Sequence, residues 1–434
     1  MDELPAPYTG KTALPTQWTD RFSLAVFTRL SNNRTPTPER KRRGSNSKSK
    51  IILPGMHAVS DLKTSFDFRD GVRDLQKHRW TLWDIQYAVL IGLSLFSLSI
   101  APSAPLLKTS AVFATTWIML MPATRQILLP SSPIWVWLLY FFCSRFIPYE
   151  VRPHIWVRVL PALENVLYGA NISNILSAHQ HPILDILAWI PYGLTHFGAP
   201  LVCSIIFFIF GAPGTMPVFA RTFGWMSILG VTIQLFFPCT PPWFENENGL
   251  IPAVYGMHGS PAGLARVDKI LGFDMYTTNF TNAPLPFGAF PSLHAANAVL
   301  EALFMTHCFP QFRTLWIVYA GWVWWATMYL SHHYAIDLVA GGLIAAAAYY
   351  YSRTYWLPRR QADKTMRWDY EYVEIGDRDT IPDEEESSYF GLGLIEPRSA
   401  GSMDGWTLSS RSSSASGMMS PAVSDDAFSS TASV

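Results

Sequence analysis

The sequence predicts an all-α, polytopic membrane protein, and three observations lead to this fold class. Of its 434 residues, 49% are hydrophobic and only 15% are charged, whereas soluble domains carry about 25% charged residues. The apolar residues are gathered into runs long enough to cross a hydrocarbon layer of about 30 Å as helices. Seventeen Trp and eighteen Tyr residues are typical of the aromatic belts at membrane interfaces. We count about eight spans, with six as the alternative.

The distribution of charge divides the chain into three parts. Residues 1–80 are expected to form a cytosolic, partly disordered segment with a basic centre at Arg40–Arg43 and a membrane-surface helix within residues 60–80. Residues 81–357 hold the apolar runs and form the transmembrane domain, which carries the candidate site. Residues 358–434 are acidic and Ser-rich and are expected to form a disordered cytosolic tail. Because the basic centre precedes membrane spans, attraction to anionic lipid is favoured over binding of nucleic acid.

Polar and proline-containing breaks between the apolar runs set the boundaries of the spans. The predicted spans are residues 85–101, 112–128, 134–147, 183–210, 223–237, 291–308, 315–330 and 338–355. Residues 154–177 include Glu164 and are expected to lie at the interface rather than to cross it. Pro191 interrupts the run 183–210, which predicts a kinked span. Asp185 in this run is either functional or a helix-to-helix hydrogen-bonding group.

The orientation of the spans follows from the basic residues near their ends. A basic cluster follows the last span and places the C-terminus in the cytosol by the positive-inside rule: Arg353, Arg359, Arg360, Lys364 and Arg367. The basic N-terminal part is also expected to be cytosolic, so the number of spans is even. Three arginines conflict with this rule, because eight spans place them on the other side: Arg145, Arg152 and Arg158.

Two polar motifs flank the predicted spans 291–308 and 315–330. Phe290-Pro-Ser-Leu-His294 opens the first span, and Ser331-His-His-Tyr-Ala-Ile-Asp337 follows the second. Two antiparallel crossings return the chain to the surface it left, so His294 and His333 are expected at the same, non-cytosolic face. Asp337 is four residues beyond His333, which allows a hydrogen bond to its imidazole if the backbone is helical or turns tightly.

These residue types support transfer of a phosphoryl group. A carboxylate that fixes the tautomer makes His333 a better nucleophile or base, and His294 can act as the general acid. Around a phosphodiester, the pair supports a two-step transfer through a phosphohistidine. The Ser292 hydroxyl and the free amides at the start of the following helix form an anion site. His332 is expected to point away from His333, in a supporting position or toward lipid.

The same strings carry a resemblance to known families. Pro291-Ser-Leu-His294 followed by His333-x-x-x-Asp337 resembles the second and third motifs of the lipid phosphate phosphatase superfamily. The longer strings 287–294 and 328–337, with 238–245 and 259–269 in the preceding loop, are similar to the fungal inositol phosphorylceramide synthase family. The resemblance covers roughly residues 60–360 and is specific in residues 230–345.

The resemblance implies a fold with a lipid phosphate phosphatase-like core and a role for each residue of the triad. His333 would be the nucleophile, Asp337 its orienting partner, and His294 the acid on the leaving diacylglycerol and then the base on ceramide. The implied reaction transfers phosphoinositol from phosphatidylinositol to the ceramide primary hydroxyl in the Golgi membrane, as a step of sphingolipid biosynthesis. It needs no metal and no cofactor. Family members are associated with a small accessory membrane subunit.

Two departures from the phosphatase pattern bear on the substrate. Gln234 and Pro241 stand where the first motif has Lys and Arg, and Thr327 stands where the third motif has Arg. The loss of these cations favours a diester with one negative charge over a dianionic monoester. Arg266 and Lys269 are expected to supply replacement charge at the phosphate.

Three other functions are left open by the residues. A lipid phosphate phosphatase would use water in place of ceramide. A metal-dependent membrane hydrolase would use His294, His333 and Asp337 as zinc ligands. A channel or transporter would line a pathway with polar residues, but here the polar groups gather at one face.

Overall fold

The computed structural model describes residues 62–376. The basic centre at Arg40–Arg43 and residues 377–434 of the predicted acidic, Ser-rich tail fall outside the described residues, and their predictions stay untested. Residues 358–376 of that predicted tail are described, and Arg367 and Tyr370 are buried there. The described helices are α1 Phe68–Lys77, α2 Ile85–Ile100, α3 Pro105–Leu120, α4 Pro122–Cys143, α5 Val159–Tyr168, α6 Ile172–Ala178, α7 Pro182–Trp189, α8 His196–Phe210, α9 Thr215–Phe236, α10 Pro242–Asn248, α11 Leu264–Leu271, α12 Tyr276–Thr281, α13 Leu293–Cys308, α14 Arg313–Tyr329 and α15 Ala335–Tyr355. Within these residues the β pairing is limited to isolated bridges.

The all-α membrane fold is confirmed, and the long helices agree with the predicted runs. Five helical stretches are long and apolar enough to cross a membrane: Leu82–Ile100, Pro122–Phe146, Pro182–Phe210, Thr215–Phe236 and Ala335–Tyr355. Three shorter helices, α3, α13 and α14, have 16, 16 and 17 residues. Together they account for eight long helical elements in residues 62–376, although the exact number of membrane crossings stays a prediction.

The predicted boundary between the second and third spans is wrong. Pro130 and Pro133 lie inside α4, and the helix break is at Met121, whose extended backbone precedes Pro122 at the first helical position. A proline in a helix leaves the carbonyl four residues earlier without its amide donor. The hydroxyl of Ser132 donates to the Leu129 carbonyl at 2.8 Å and replaces the bond that Pro133 cannot make. The helix therefore continues through the prolines.

The hydrophobic core joins the inner helices of the bundle. Phe207 of α8, Phe219 of α9, Phe304 of α13 and Tyr349 of α15 pack in one buried cluster. In a bilayer, close van der Waals packing of such large side chains stabilises the helix contacts, because lipid is as apolar as the core itself. The four cysteines are all buried as free thiols.

Close backbone contact brings α15 against the start of α13. A Cβ atom added at Gly341 would overlap the carbonyl oxygen of Ser292. The Ser292 amide also donates to the Asp337 carbonyl at 3.0 Å. The small residues of α15 therefore allow the two motif-bearing helices to meet, as its Ala- and Gly-rich sequence predicts.

Arg152, one of the three arginines that conflict with the positive-inside rule, has a structural role. Arg152 donates to the carbonyls of Ser144 and Ile147, just beyond the end of α4. Its guanidinium also lies against the rings of Tyr149 and Tyr255, 5.1 and 5.0 Å from their centroids. This side chain satisfies helix-end carbonyls, which accounts for its position without reference to membrane orientation.

Candidate active site

The two motif histidines are in direct contact. The Ser292 hydroxyl accepts a hydrogen bond from the Ala295 amide at 3.3 Å and caps the N-terminus of α13. His294 therefore lies in the first turn of this helix. Its Nδ1 atom is 3.1 Å from Nε2 of His333, although 39 residues separate them. We call the end of the bundle that holds His294 and His333 the histidine end.

A tight turn at the end of α14 presents His333. The His332 amide donates to the Thr327 carbonyl at 3.0 Å, and the Ser331 amide donates to the Met328 carbonyl at 2.9 Å. This pair of bonds is the Schellman helix ending. Ser331 holds the left-handed position with φ of 61°, where glycine is more usual. His333 therefore lies outside both helices. Of the two backbone conformations that the sequence allowed at this point, helix or tight turn, the structure has the tight turn.

Asp337 orients His333. Its Oδ2 atom is 2.8 Å from Nδ1 of His333, and the carboxylate is fully buried in the first turn of α15. The hydrogen bond assigns the proton to Nδ1 and leaves the lone pair on Nε2, the atom that faces His294. Burial lowers the pKa of His333 to about 3. The imidazole is thus neutral at physiological pH, which is the nucleophilic form.

Two aromatic side chains of the kinked span complete the wall beside His294. A π-helical turn, Ile190–Thr195, separates α7 from α8. It places the Tyr192 ring 4.5 Å from the His294 ring, in a stacked arrangement, and the His196 ring lies 4.4 Å from the same ring. Sequence reasoning did not select Tyr192 or His196. The available signal was the Pro and Gly interruption of an apolar run, since π-turns often occur at functional sites.

The His332 side chain is directed away from His294 and His333. Its Nε2 atom is 3.2 Å from the Pro261 carbonyl, and its ring lies between those of Phe280 and Tyr192 at 4.6 and 5.2 Å. Burial lowers its pKa to about 3. The side chain joins the loop that follows α10 to the wall of the site.

The predicted phosphate cations lie on α11 but are in different environments. Arg266 donates to Asp185 through Nη2 at 2.7 Å and Nε at 3.0 Å. The Tyr329 hydroxyl donates to the same carboxylate at 2.9 Å. Although burial lowers the pKa of Arg266, the hydrogen bond and charge of Asp185 raise it overall. Lys269 is exposed. The charge of Arg266 is thus already balanced, and Asp185 makes the helix-to-helix hydrogen bonds that one of the two sequence alternatives predicts.

Neutral side chains occupy the positions where the phosphatase pattern has cations. The Gln234 amide donates to the Pro291 carbonyl at 3.0 Å, next to Ser292. The Thr327 hydroxyl donates to the Trp324 carbonyl at 2.8 Å, within the last turns of α14. Both residues hold the backbone of the motifs instead of offering charge to a ligand.

Two further carboxylates hold the residues that follow His333. The Tyr334 hydroxyl donates to Glu245 of α10 at 2.9 Å. The Ala335 amide donates to Glu164 of α5 at 3.1 Å. Sequence reasoning placed Glu164 at the interface and assigned Glu245 no role, because partners that lie 89 and 171 residues away leave no local spacing signal.

The geometry gives no support to a zinc centre at these residues. Nδ1 of His333 bonds to Asp337, and its Nε2 faces His294. Among residues 62–376, no group of three or more His, Cys, Asp or Glu side chains is arranged to hold a metal ion.

Comparison with known proteins places this site in a family. A family model described as the PAP2 superfamily matches residues 155–351, which contain all of the site residues above. The inositol phosphorylceramide synthase catalytic subunit of Schizosaccharomyces pombe is 48% identical over 73% of this chain and 75% of that protein.

Two further relatives carry the same description. Inositol phosphorylceramide synthase of Candida albicans is 44% identical over 73% of this chain and 67% of its own length. The catalytic subunit of the Saccharomyces cerevisiae enzyme is 42% identical over 74% of this chain and 80% of its own length. Identities of this size over most of each protein exceed what a shared fold alone requires.

Proposed function

The chain belongs to the inositol phosphorylceramide synthase family, and from this premise we propose that it transfers phosphoinositol from phosphatidylinositol to the primary hydroxyl of ceramide and releases diacylglycerol. One observation carries the mechanism: Asp337, His333 and His294 form a continuous hydrogen-bonded series with separations of 2.8 and 3.1 Å. A neutral nucleophile with an oriented tautomer therefore faces a second histidine that can carry the transferred proton.

In the first half-reaction, Nε2 of His333 attacks the phosphorus of phosphatidylinositol. The bond from phosphorus to the diacylglycerol oxygen breaks, and His294, which is protonated in the complex with the anionic phosphodiester, gives its proton to that oxygen. The approaching diester replaces the hydrogen bond between the two histidines, so His294 is directed at the leaving group. The products are diacylglycerol and a phosphoinositol group bound to His333, whose positive charge is stabilised by Asp337.

In the second half-reaction, His294 acts as the base. It takes the proton of the ceramide primary hydroxyl, and the ceramide oxygen attacks phosphorus. The phosphorus–nitrogen bond breaks, which releases inositol phosphorylceramide and returns His333 to its neutral state. His294 thus loses one proton to diacylglycerol and regains one from ceramide, so no outside acid or base is required.

Substrate binding is proposed from the elements around the two histidines. The capped N-terminus of α13 at Ser292 offers free amides and a partial positive charge to the phosphodiester. Lys269 is proposed to add charge at the edge of the site. Arg266 was predicted for the same role, but its pairing with Asp185 supports a contribution to loop position instead.

The location of the site in the cell is part of the proposal. The positive-inside rule supports two cytosolic termini and a lumenal histidine end, and the family resemblance suggests the Golgi membrane. The three-part division at residues 80 and 357 stays a prediction. Two relatives are named catalytic subunits, which supports a small accessory membrane subunit for this chain as well.

The decisive experiment uses purified protein in detergent with labelled phosphatidylinositol, with and without ceramide. We expect diacylglycerol and inositol phosphorylceramide to form together, and His333→Ala to abolish both. Release of inositol phosphate without ceramide would identify a hydrolase of the phosphatase type and refute the acceptor. Near-normal turnover by His333→Ala would show that His333 is not the nucleophile.

A further inference from the structure

Glu164 is a buried carboxylate that the transfer mechanism does not use. It lies on α5 with none of its surface exposed. One oxygen accepts the amide hydrogen of Ala335, the first residue of α15, at 3.1 Å. The first-turn amides of Ile172 and Ser173 in α6 also face it and act to lower its pKa. Because helix N-termini carry partial positive charge, the ends of both helices favour this carboxylate, and its Oε2 atom has no hydrogen-bond partner in residues 62–376.

The same helix turn carries the partner of the nucleophile. Ala335 and Asp337 are in the first turn of α15, and Asp337 accepts the hydrogen bond of His333. Displacement of the Ala335 amide would therefore displace the Asp337 carboxylate. The contact between α5 and α15 joins segments 171 residues apart in the chain, so it is a property of the tertiary fold.

Electrostatic coupling accompanies this contact. The groups that face Glu164 are Asp337 of α15 and Tyr334 in the turn before it, and Glu245 of α10 lies behind Tyr334. Burial, with a smaller contribution from the Asp337 charge, raises the pKa of Glu164 to about 7. Two carboxylates thus lie behind His333, and the outer one changes charge near neutral pH.

We propose that Glu164 is a positioning residue for the transfer reaction: it fixes the first turn of α15, and its negative charge adds to that of Asp337 in stabilising the positive charge that forms on His333 during attack. The inference rests on the proposed function, because it takes His333 as the nucleophile. The carboxylate form of Glu164 is the active form, so the rate constant kcat should rise with pH through the region near 7.

The test compares Glu164→Gln, which keeps an acceptor oxygen but removes the charge, with Glu164→Asp, which keeps the charge. The control is Glu247→Gln, which removes an exposed carboxylate of the same end that bonds only to Ser260 in the described structure. Thermal unfolding and gel filtration in detergent verify that each variant is folded. The kinetic constants for labelled phosphatidylinositol are measured between about pH 5.5 and 9.

For Glu164→Gln we expect kcat to fall at least about tenfold above pH 8, with little change in KM, and to approach the wild-type value below pH 6. The rise near pH 7 should be lost in Glu164→Gln and kept in Glu164→Asp and Glu247→Gln. An unchanged rise in a folded Glu164→Gln would overturn the inference, as would equal loss of activity at every pH.

Failure of the proposed function can be distinguished from failure of the inference about Glu164. Formation of diacylglycerol or release of inositol phosphate can each be followed in the same variants. If wild-type protein hydrolyses phosphatidylinositol without using ceramide, the acceptor is refuted, but the comparison of pH profiles still tests Glu164.

Discussion

Two polar clusters at the histidine end differ in their hydrogen bonding. The Asp185 cluster, which consists of Asp185, Arg266 and Tyr329, is closed: Arg266 makes two bonds to the carboxylate and the Tyr329 hydroxyl makes a third. The triad cluster, which consists of His294, His333 and Asp337, is open. Oδ1 of Asp337 has no hydrogen-bond partner in the described part of the chain, and Nε2 of His333 faces the other histidine.

From this difference in hydrogen bonding we expect the closed cluster to stabilise the fold and the open cluster to take part in chemistry. A buried ion pair that satisfies all of its groups fixes one arrangement of the chain, because removal of either partner leaves a charge without compensation. A buried group with unused capacity is unfavourable for stability and is retained where it has another use. The Asp185 cluster fixes α11 to α7 and α14, whereas the triad cluster leaves an oxygen of Asp337 without a partner in the described residues, as the proposed chemistry leads us to expect.

The largest effect should follow from Asp337→Asn, which tests whether the open cluster serves chemistry. An amide can present its NH₂ group to Nδ1 of His333 and reverse the tautomer, so that the lone pair no longer lies on Nε2. We expect kcat to fall by about a thousandfold or more, as for loss of the orienting carboxylate in serine proteases. Single-turnover assays with labelled phosphatidylinositol measure this change.

Stability provides the contrast for the same variant. Because Asp337→Asn removes a fully buried charge, the unfolding temperature in detergent should be unchanged or higher. A large loss of stability with retained activity per folded molecule would assign Asp337 a structural role and remove the distinction between the clusters.

The second effect concerns the closed cluster. Arg266→Ala leaves Asp185 buried and unpaired, since the Asp185 side chain is 3% exposed. We expect a loss of about 3 kcal/mol in unfolding free energy, with a smaller change in kcat of the folded protein. Asp185→Asn in the same chain should restore much of the stability.

Lys269→Ala is the matched control, because it removes an exposed cation from the same helix. It should leave stability within about 0.5 kcal/mol and raise the KM for phosphatidylinositol a few-fold. If instead Arg266→Ala raises KM without loss of stability, both cations bind phosphate, as the sequence alone suggested. Unchanged donor affinity with both positions changed to alanine would exclude that role.

The smallest effect should come from the packing that assembles the open cluster. In Gly341→Ala the new methyl group meets the Ser292 carbonyl and the Ala296 amide, so α13 and α15 must separate. Overpacking of this kind costs about 1–3 kcal/mol, and we expect activity to fall about tenfold as His294 moves relative to His333.

The control is Gly321→Ala in α14, where the added methyl group has no neighbouring atom within 4 Å. This variant should be active and stable. Equal behaviour of the two variants would show that the close contact does not position the histidines.

Local patterns in the sequence determined the class of fold and the centre of the site. Apolar runs of this length predict membrane helices, because a helix pairs its own backbone N–H and C=O groups and so satisfies them where hydrocarbon offers no hydrogen bonds. The separation of four residues between His333 and Asp337, and the return of two antiparallel spans to one face, place these two residues and His294 together. These relations involve short distances along the chain or the parity of crossings, both of which can be read from the sequence.

The tertiary structure alone decided which other groups meet that centre. Pairing of Asp185 with Arg266, support of Ala335 by Glu164 and contact of His196 with His294 join segments 81, 171 and 98 residues apart. The continuation of α4 through Pro133 likewise depends on a serine hydroxyl that replaces one amide bond. Such contacts depend on how whole helices pack, and helical periodicity fixes which face a residue is on but not which neighbour that face meets.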